Sequence, residues 1–154
     1  MPDVNEKDED RTTCLGPRTV SDAFVAGAVA AVVSGVPSSA WALVTGRSLT
    51  EGALAAGSLL LPREQRPAVL VGAAVPVHLT LSIGWAFVLT AILPRRHPVA
   101  WATLAGLGIA ALDLGVIGWR IPRIRALSQS PQVADHLAYG AAVGVVLDLR
   151  RRHA

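Results

Sequence analysis

The sequence predicts an all-α polytopic membrane protein: four transmembrane helices plus a short interfacial or re-entrant helix between the first two. Three observations predict it. The 154 residues are 52% hydrophobic and only 16% charged, whereas soluble domains carry about a quarter charged residues. The mean hydropathy is +0.47. The charges gather in the tails and connections, leaving long runs nearly free of them, as integral membrane proteins do.

The same composition bounds function. The net charge of +3 raises the question of nucleic acid. The arginines, however, lie at the ends of apolar runs and form no stripe, so the bilayer's anionic headgroups are the expected partner and nucleic acid is not. The single cysteine, Cys14, excludes an internal disulfide and a cysteine-only zinc site. No apolar run precedes it, so it is not read as a lipidation site. The large excess of arginine over lysine, with alanine, glycine and valine dominant, reads as GC-rich coding and points to a bacterial inner membrane.

Residues 1–20 carry five acids among three bases and read as a disordered polar tail. The single domain then runs over 21–149. Its first span is 23–44, polar only at Ser34, Ser38 and Ser39, and about 33 Å long as a helix, enough to cross. An Ala-Trp-Ala at 40–42 invites a signal-peptide reading, but the preceding region is net acidic where a signal is basic. A retained helix is expected. The second span is 68–93, interrupted by Pro76 and His78, and the third is 99–119, with Asp113 inside it. The fourth, 133–149, is flanked by Pro131 and by the arginines of a basic tail, 150–154. Ser130 would cap it, with Pro131 at its first position. Between the first two spans, 49–61 reads as a helix too short to cross, with Ser48 and Glu51 at capping-box spacing. With four spans, eight basic residues fall on the side of the termini and six on the other, which predicts both termini in the cytoplasm.

Depth along the spans places the polar residues together. His78, Asp113, Asp135, His136 and, in the first span, Ser38 and Ser39 all fall on the side of the 46–66 and 120–131 connections, because successive spans alternate in direction. Helix faces agree. His136, Tyr139, Gly140 and Gly144 share one side of the fourth span, and Gly106, Ala110 and Asp113 one side of the third. Gly140 and Gly144 are spaced for close backbone approach, so helix packing is assigned to Gly106, Ala110, Gly140 and Gly144. His78, Asp113, Asp135, His136 and Tyr139 are expected to line an intramembrane polar pocket. Pro37 and Pro76 fall in the same region and would free the carbonyls of Val33 and Gly72.

Each of these residues also has a plainer reading. An aspartate at a helix centre costs about 2.5–3.5 kcal/mol to insert, which leaves two roles open for Asp113: a proton or cation site, or an acid paired with His78 or His136 that orders the bundle. Asp135 reads first as a dipole-stabilised acid in the first turn of its own helix. Two histidines in a four-helix bundle could ligate haem, but they are more often hydrogen-bonded packing residues. A His/His/Asp metal site lacks diagnostic spacing. No metal and no cofactor is assigned.

The stretches "GRSLTEGALAAGSLLLP" (46–62) and "PQVADHLAYGAAVG" (131–144) resemble those of uncharacterised small four-span bacterial inner-membrane proteins, a resemblance that implies the architecture and no activity. The sequence therefore leads to the expectation of a non-enzymatic structural or accessory membrane protein. Its partners would be the lipid bilayer and a second copy or a partner membrane protein. A small proton-linked transporter using Asp113 and the neighbouring histidines is the alternative.

Overall fold

The computed structural model describes residues 17–153, so most of the expected N-terminal tail, with Cys14, lies outside the described residues. Every element among them is helical. The order is α1 (Pro17–Val33), α2 (Val36–Thr45), α3 (Glu51–Leu60), α4 (Pro67–Ile92), α5 (Pro98–Ala110), α6 (Pro122–Arg125) and α7 (Gln129–Arg152). A π-helical segment, Ala111–Ile117, and a 3-10 turn, Gly118–Arg120, continue α5 toward α6. Three helical stretches are long and apolar enough to cross a membrane: Thr19–Thr45, Pro67–Ile92 and Pro98–Arg120.

Several expected boundaries move. The first described residues, from Pro17, are already helical, inside the expected tail. The expected continuous span 23–44 is two helices. Pro37 has no N–H and its ring crowds the preceding turn, and with Gly35 beside it the chain breaks at Ser34–Gly35. Pro76, by contrast, stays inside an unbroken α4. The capping box at Ser48 and Glu51 does not form. Glu51 is held by Arg47 at 2.8 Å, and the Ser48 hydroxyl accepts from the Thr50 amide instead. α7 starts at Gln129 rather than at a cap on Ser130, and it runs on through Arg152.

Small residues set the helix spacing. Gly27 lies so close to α4 that a Cβ there would sit 2.9 Å from the Cα of Ile83. The expected packing residues of α5 and α7 meet directly: Gly106 lies on the carbonyl of His136, Gly140 on that of Ala102, and Gly144 on the backbone of Val99. Ala110 is buried beside them. The fully buried side chains are mostly alanines, with Leu70, Leu89, Val143 and Leu147, whereas Val32, Leu43, Val44 and Ile92 face outward. An interior of small residues under an exterior of large apolar ones is how helices pack in lipid.

The connections sort into two ends. At one, Arg150 of α7 pairs with Asp22 of α1, and Arg151 donates to the carbonyl of Pro94. At the other, Arg47 donates to Ser128 at 3.1 Å and Arg123 to Gln65 at 2.9 Å. Beside Gln65, the Arg66 guanidinium hydrogen-bonded to Glu64 holds that carboxyl at about 2. Any stabilisation from this surface pair is present above the ordinary glutamate range and lost only as pH falls toward that value, so Glu64 stays ionised at physiological pH.

α3 is about 15 Å long and packs on α4, with Ala55, Gly57 and Ser58 buried. A Cβ on Gly57 would fall 2.0 Å from the carbonyl oxygen of Leu70. Gly57→Ala is therefore expected to lift α3 from α4, at an overpacking cost of about 1–3 kcal/mol. Faster hydrogen exchange confined to 51–61 would show it, and exchange unchanged there would refute the contact.

Candidate functional site

The break in the first helical stretch creates the site. A helix start leaves N–H groups without intrahelical partners, and a helix end leaves carbonyls. Both kinds occur where α1 stops and α2 begins, and side chains from two other helices reach them. The Ser38 N–H, in the first turn of α2, donates to Asp135 Oδ1 of α7 at 2.8 Å across 97 residues of sequence. The Ala31 carbonyl, near the end of α1, lies 2.8 Å from His78 Nε2 of α4. A carbonyl can only accept, so His78 carries its proton on Nε2.

A second contact joins α7 to the segment after α5. His136 Nε2 lies 3.4 Å from Asp113 Oδ2, with both side chains about one-fifth exposed. His136 Nδ1 lies 2.8 Å from the Gln132 carbonyl, which fixes a proton on Nδ1. His136 Nε2 thus faces the Asp113 carboxyl group, a contact that is a hydrogen bond when a proton lies between them. Asp113 sits in the π-helical segment, where the Gly118 N–H bonds back to the Asp113 carbonyl. Such wide turns reset helical phase and recur at functional sites.

Tyr139 is buried, and its hydroxyl donates to the Ser82 carbonyl of α4. That hydroxyl is therefore held by the backbone of α4 and not by the neighbouring histidines or acids. Of the two partners left open for Asp113, His136 lies against it, and His78 bonds Ala31 instead. Asp135 lies in the second turn of α7, so the helix terminus it caps belongs to α2 and not to its own helix.

All five residues nevertheless line one open cavity of about 860 Å³. Its polar end holds His78, Asp113, Asp135 and His136, with Ser34 and Ser38 beside them. Apolar residues of α3 and α4 form much of the remaining wall, and Trp41 and Trp85 line it too. Arg47 and Glu51, ion-paired with each other, belong to the end where the 46–66 and 120–128 connections meet. None of these four is among the residues expected to line the pocket. The helix break that brings α2 and α3 onto it was signalled only by Gly35 and Pro37.

Among the described residues, no group of three or more His, Cys, Asp or Glu side chains is arranged to hold a metal ion. For haem, both nitrogens of His136 and Nε2 of His78 are already engaged within the protein. No protein-family model, curated protein or solved structure matches the chain.

Proposed function

We propose that the chain is a multi-pass protein of the bacterial inner membrane, crossing four times with both termini in the cytoplasm, and that it serves a non-enzymatic structural or accessory role. The fourth crossing is α7. It runs antiparallel to the α1–α2 stretch and is joined to it near both ends, Arg150 to Asp22 and Asp135 to Ser38. Those intervals are about 22 and 24 Å as helix, so α7 traverses the same thickness as a stretch apolar enough to cross. Its polar side chains turn to partner helices, where the cost of insertion is lowered. α3, tied to α4 and too short to cross, is a re-entrant or interfacial piece.

One observation carries the accessory reading. Asp135, His78, His136 and Tyr139 all bond main-chain atoms, and three of the four bonds join different helices. The pocket's polar groups thus fasten the bundle where its backbone is irregular, a use that polar residues have in membranes. Such a bundle offers its outer faces to lipid and to a second copy or another membrane protein.

A second reading, a small proton-linked carrier, draws on the Asp113–His136 pair, an imidazole against a carboxyl group on an open cavity. Vesicles containing wild-type protein or Asp113→Asn decide between the two. The accessory role predicts equal insertion, similar thermal stability and no gradient-driven proton flux in either. Flux present in the wild type and lost in the variant would replace it with the carrier.

A further inference from the structure

We infer that the cavity is a binding site for a lipophilic cation: a bulky apolar body carrying one delocalised or quaternary positive charge. The inference rests on the membrane reading above and adds a ligand class to it.

Charge is the first argument. With both imidazoles neutral, the walls carry three carboxylates, Asp113, Asp135 and Glu51, against one guanidinium, Arg47. Arg47 and Glu51 neutralise each other at 2.8 Å, which leaves Asp113 and Asp135 in excess at the polar end. A proton shared with His136 lowers the excess by one and does not reverse it. Asp135 accepts one backbone hydrogen bond at one oxygen, Oδ1, and a carboxylate has capacity for several more. The same end therefore repels an anion and attracts a cation.

Shape and lining give the second argument. A volume of about 860 Å³ is that of a drug-sized pocket, typically about 300–1,000 Å³. Its wall is mostly apolar, so a small hydrated ion would lose its water without compensation. An apolar cation would not, since its charge is spread and weakly hydrated. Trp41 and Trp85 supply aromatic rings, the side chains to which quaternary cations are drawn. Anionic polar end, apolar wall and aromatic rings together select both parts of such a ligand.

Protons should compete with it. The titratable groups sharing the cavity are Asp113, Asp135, His78 and His136, with the Arg47–Glu51 pair and Tyr139 at its margins. Protonating the carboxylates or imidazoles removes negative or adds positive charge, so affinity falls as pH falls.

The test uses the full-length protein in detergent and two probes of nearly equal size and opposite charge, tetraphenylphosphonium and tetraphenylborate. Binding is measured by equilibrium dialysis against protein-free micelles. Saturable binding of the phosphonium alone is expected, weaker at pH 5 than at pH 8. Asp135→Asn, which removes the carboxylate that has no histidine bonded to it, should weaken it about tenfold or more, the loss of one charge at close range, while Trp85→Phe should weaken it less. Equal binding of both probes would show an apolar slot blind to charge and would overturn the inference, as would no saturable phosphonium binding. Should the Asn variant misfold, the two-probe comparison on the wild type still decides. Accessibility of single cysteines introduced in the connections, read from both sides of sealed vesicles, tests the four crossings separately. Failure of the ligand is thereby distinguished from failure of the topology.

Discussion

Gly140→Ala and Gly106→Ala are each expected to lower the thermal unfolding midpoint in detergent, although alanine is the better helix former by up to about 1 kcal/mol. The new Cβ atoms would lie 2.2 Å from the carbonyl oxygen of Ala102 and 2.3 Å from that of His136. Neither obstacle is a flexible side chain. α5 and α7 would have to part, and overpacking of this kind costs about 1–3 kcal/mol or more. Gly108→Ala is the control. It lies on α5 with nothing near its missing Cβ, so it should be neutral or slightly stabilising. Gly106→Ala carries a second consequence, because the carbonyl it displaces belongs to His136 and the push is transmitted to the Asp113 contact. The imidazole resonances of His136 should therefore shift in Gly106→Ala and hold still in Gly108→Ala. If Gly140→Ala and Gly106→Ala instead stabilise as Gly108→Ala does, the close crossing of α5 and α7 is refuted.

What the sequence made legible follows from what its patterns encode. Apolar runs encode length, so α4 is found within one residue of its expected ends and the α5 stretch is long enough as foreseen. Small residues at helical spacing encode close approach, and Gly106, Gly140 and Gly144 each lie against the backbone of the facing helix. Depth and face were enough to bring five polar residues to one cavity. Their partners were not legible, because a bond such as Asp135 to Ser38 depends on a backbone break in another helix. The capping-box spacing at Ser48 and Glu51 misled for a related reason: the Glu51 carboxylate is taken by Arg47, one turn before it. The π-helical turns at Asp113 left no periodic trace, since one extra residue in a turn alters phase without altering hydropathy. α7 shows the limit of hydropathy most directly. Its acids, histidine and arginines remove it from the class of helices that could cross by composition, while its contacts run the full length of one that could.

Asp135→Ala should destabilise the protein more than Asp113→Asn does. The Asp135 carboxylate caps the start of α2, where the first-turn N–H groups and the helix dipole both favour negative charge. Removing it leaves the Ser38 N–H without its acceptor inside the cavity. Hydrogen bonds to charged groups are worth about 1.5–3 kcal/mol, and this one is only part-buried. Asp135→Asn keeps an acceptor oxygen and loses only the charge, so its cost should be about half. Asp113→Asn keeps a hydrogen-bonding partner for His136 and uncaps nothing. Hydrogen exchange locates the effect as well as its size: the amide of Ser38 and its neighbours in the first turn of α2 should lose protection in Asp135→Ala and keep most of it in Asp135→Asn. The break between α1 and α2 would then be seen to depend on a residue almost a hundred positions away. Equal exchange at Ser38 in wild type and Asp135→Ala would mean that water can take the place of the carboxylate, and the cavity would have lost its principal fastening between α2 and α7.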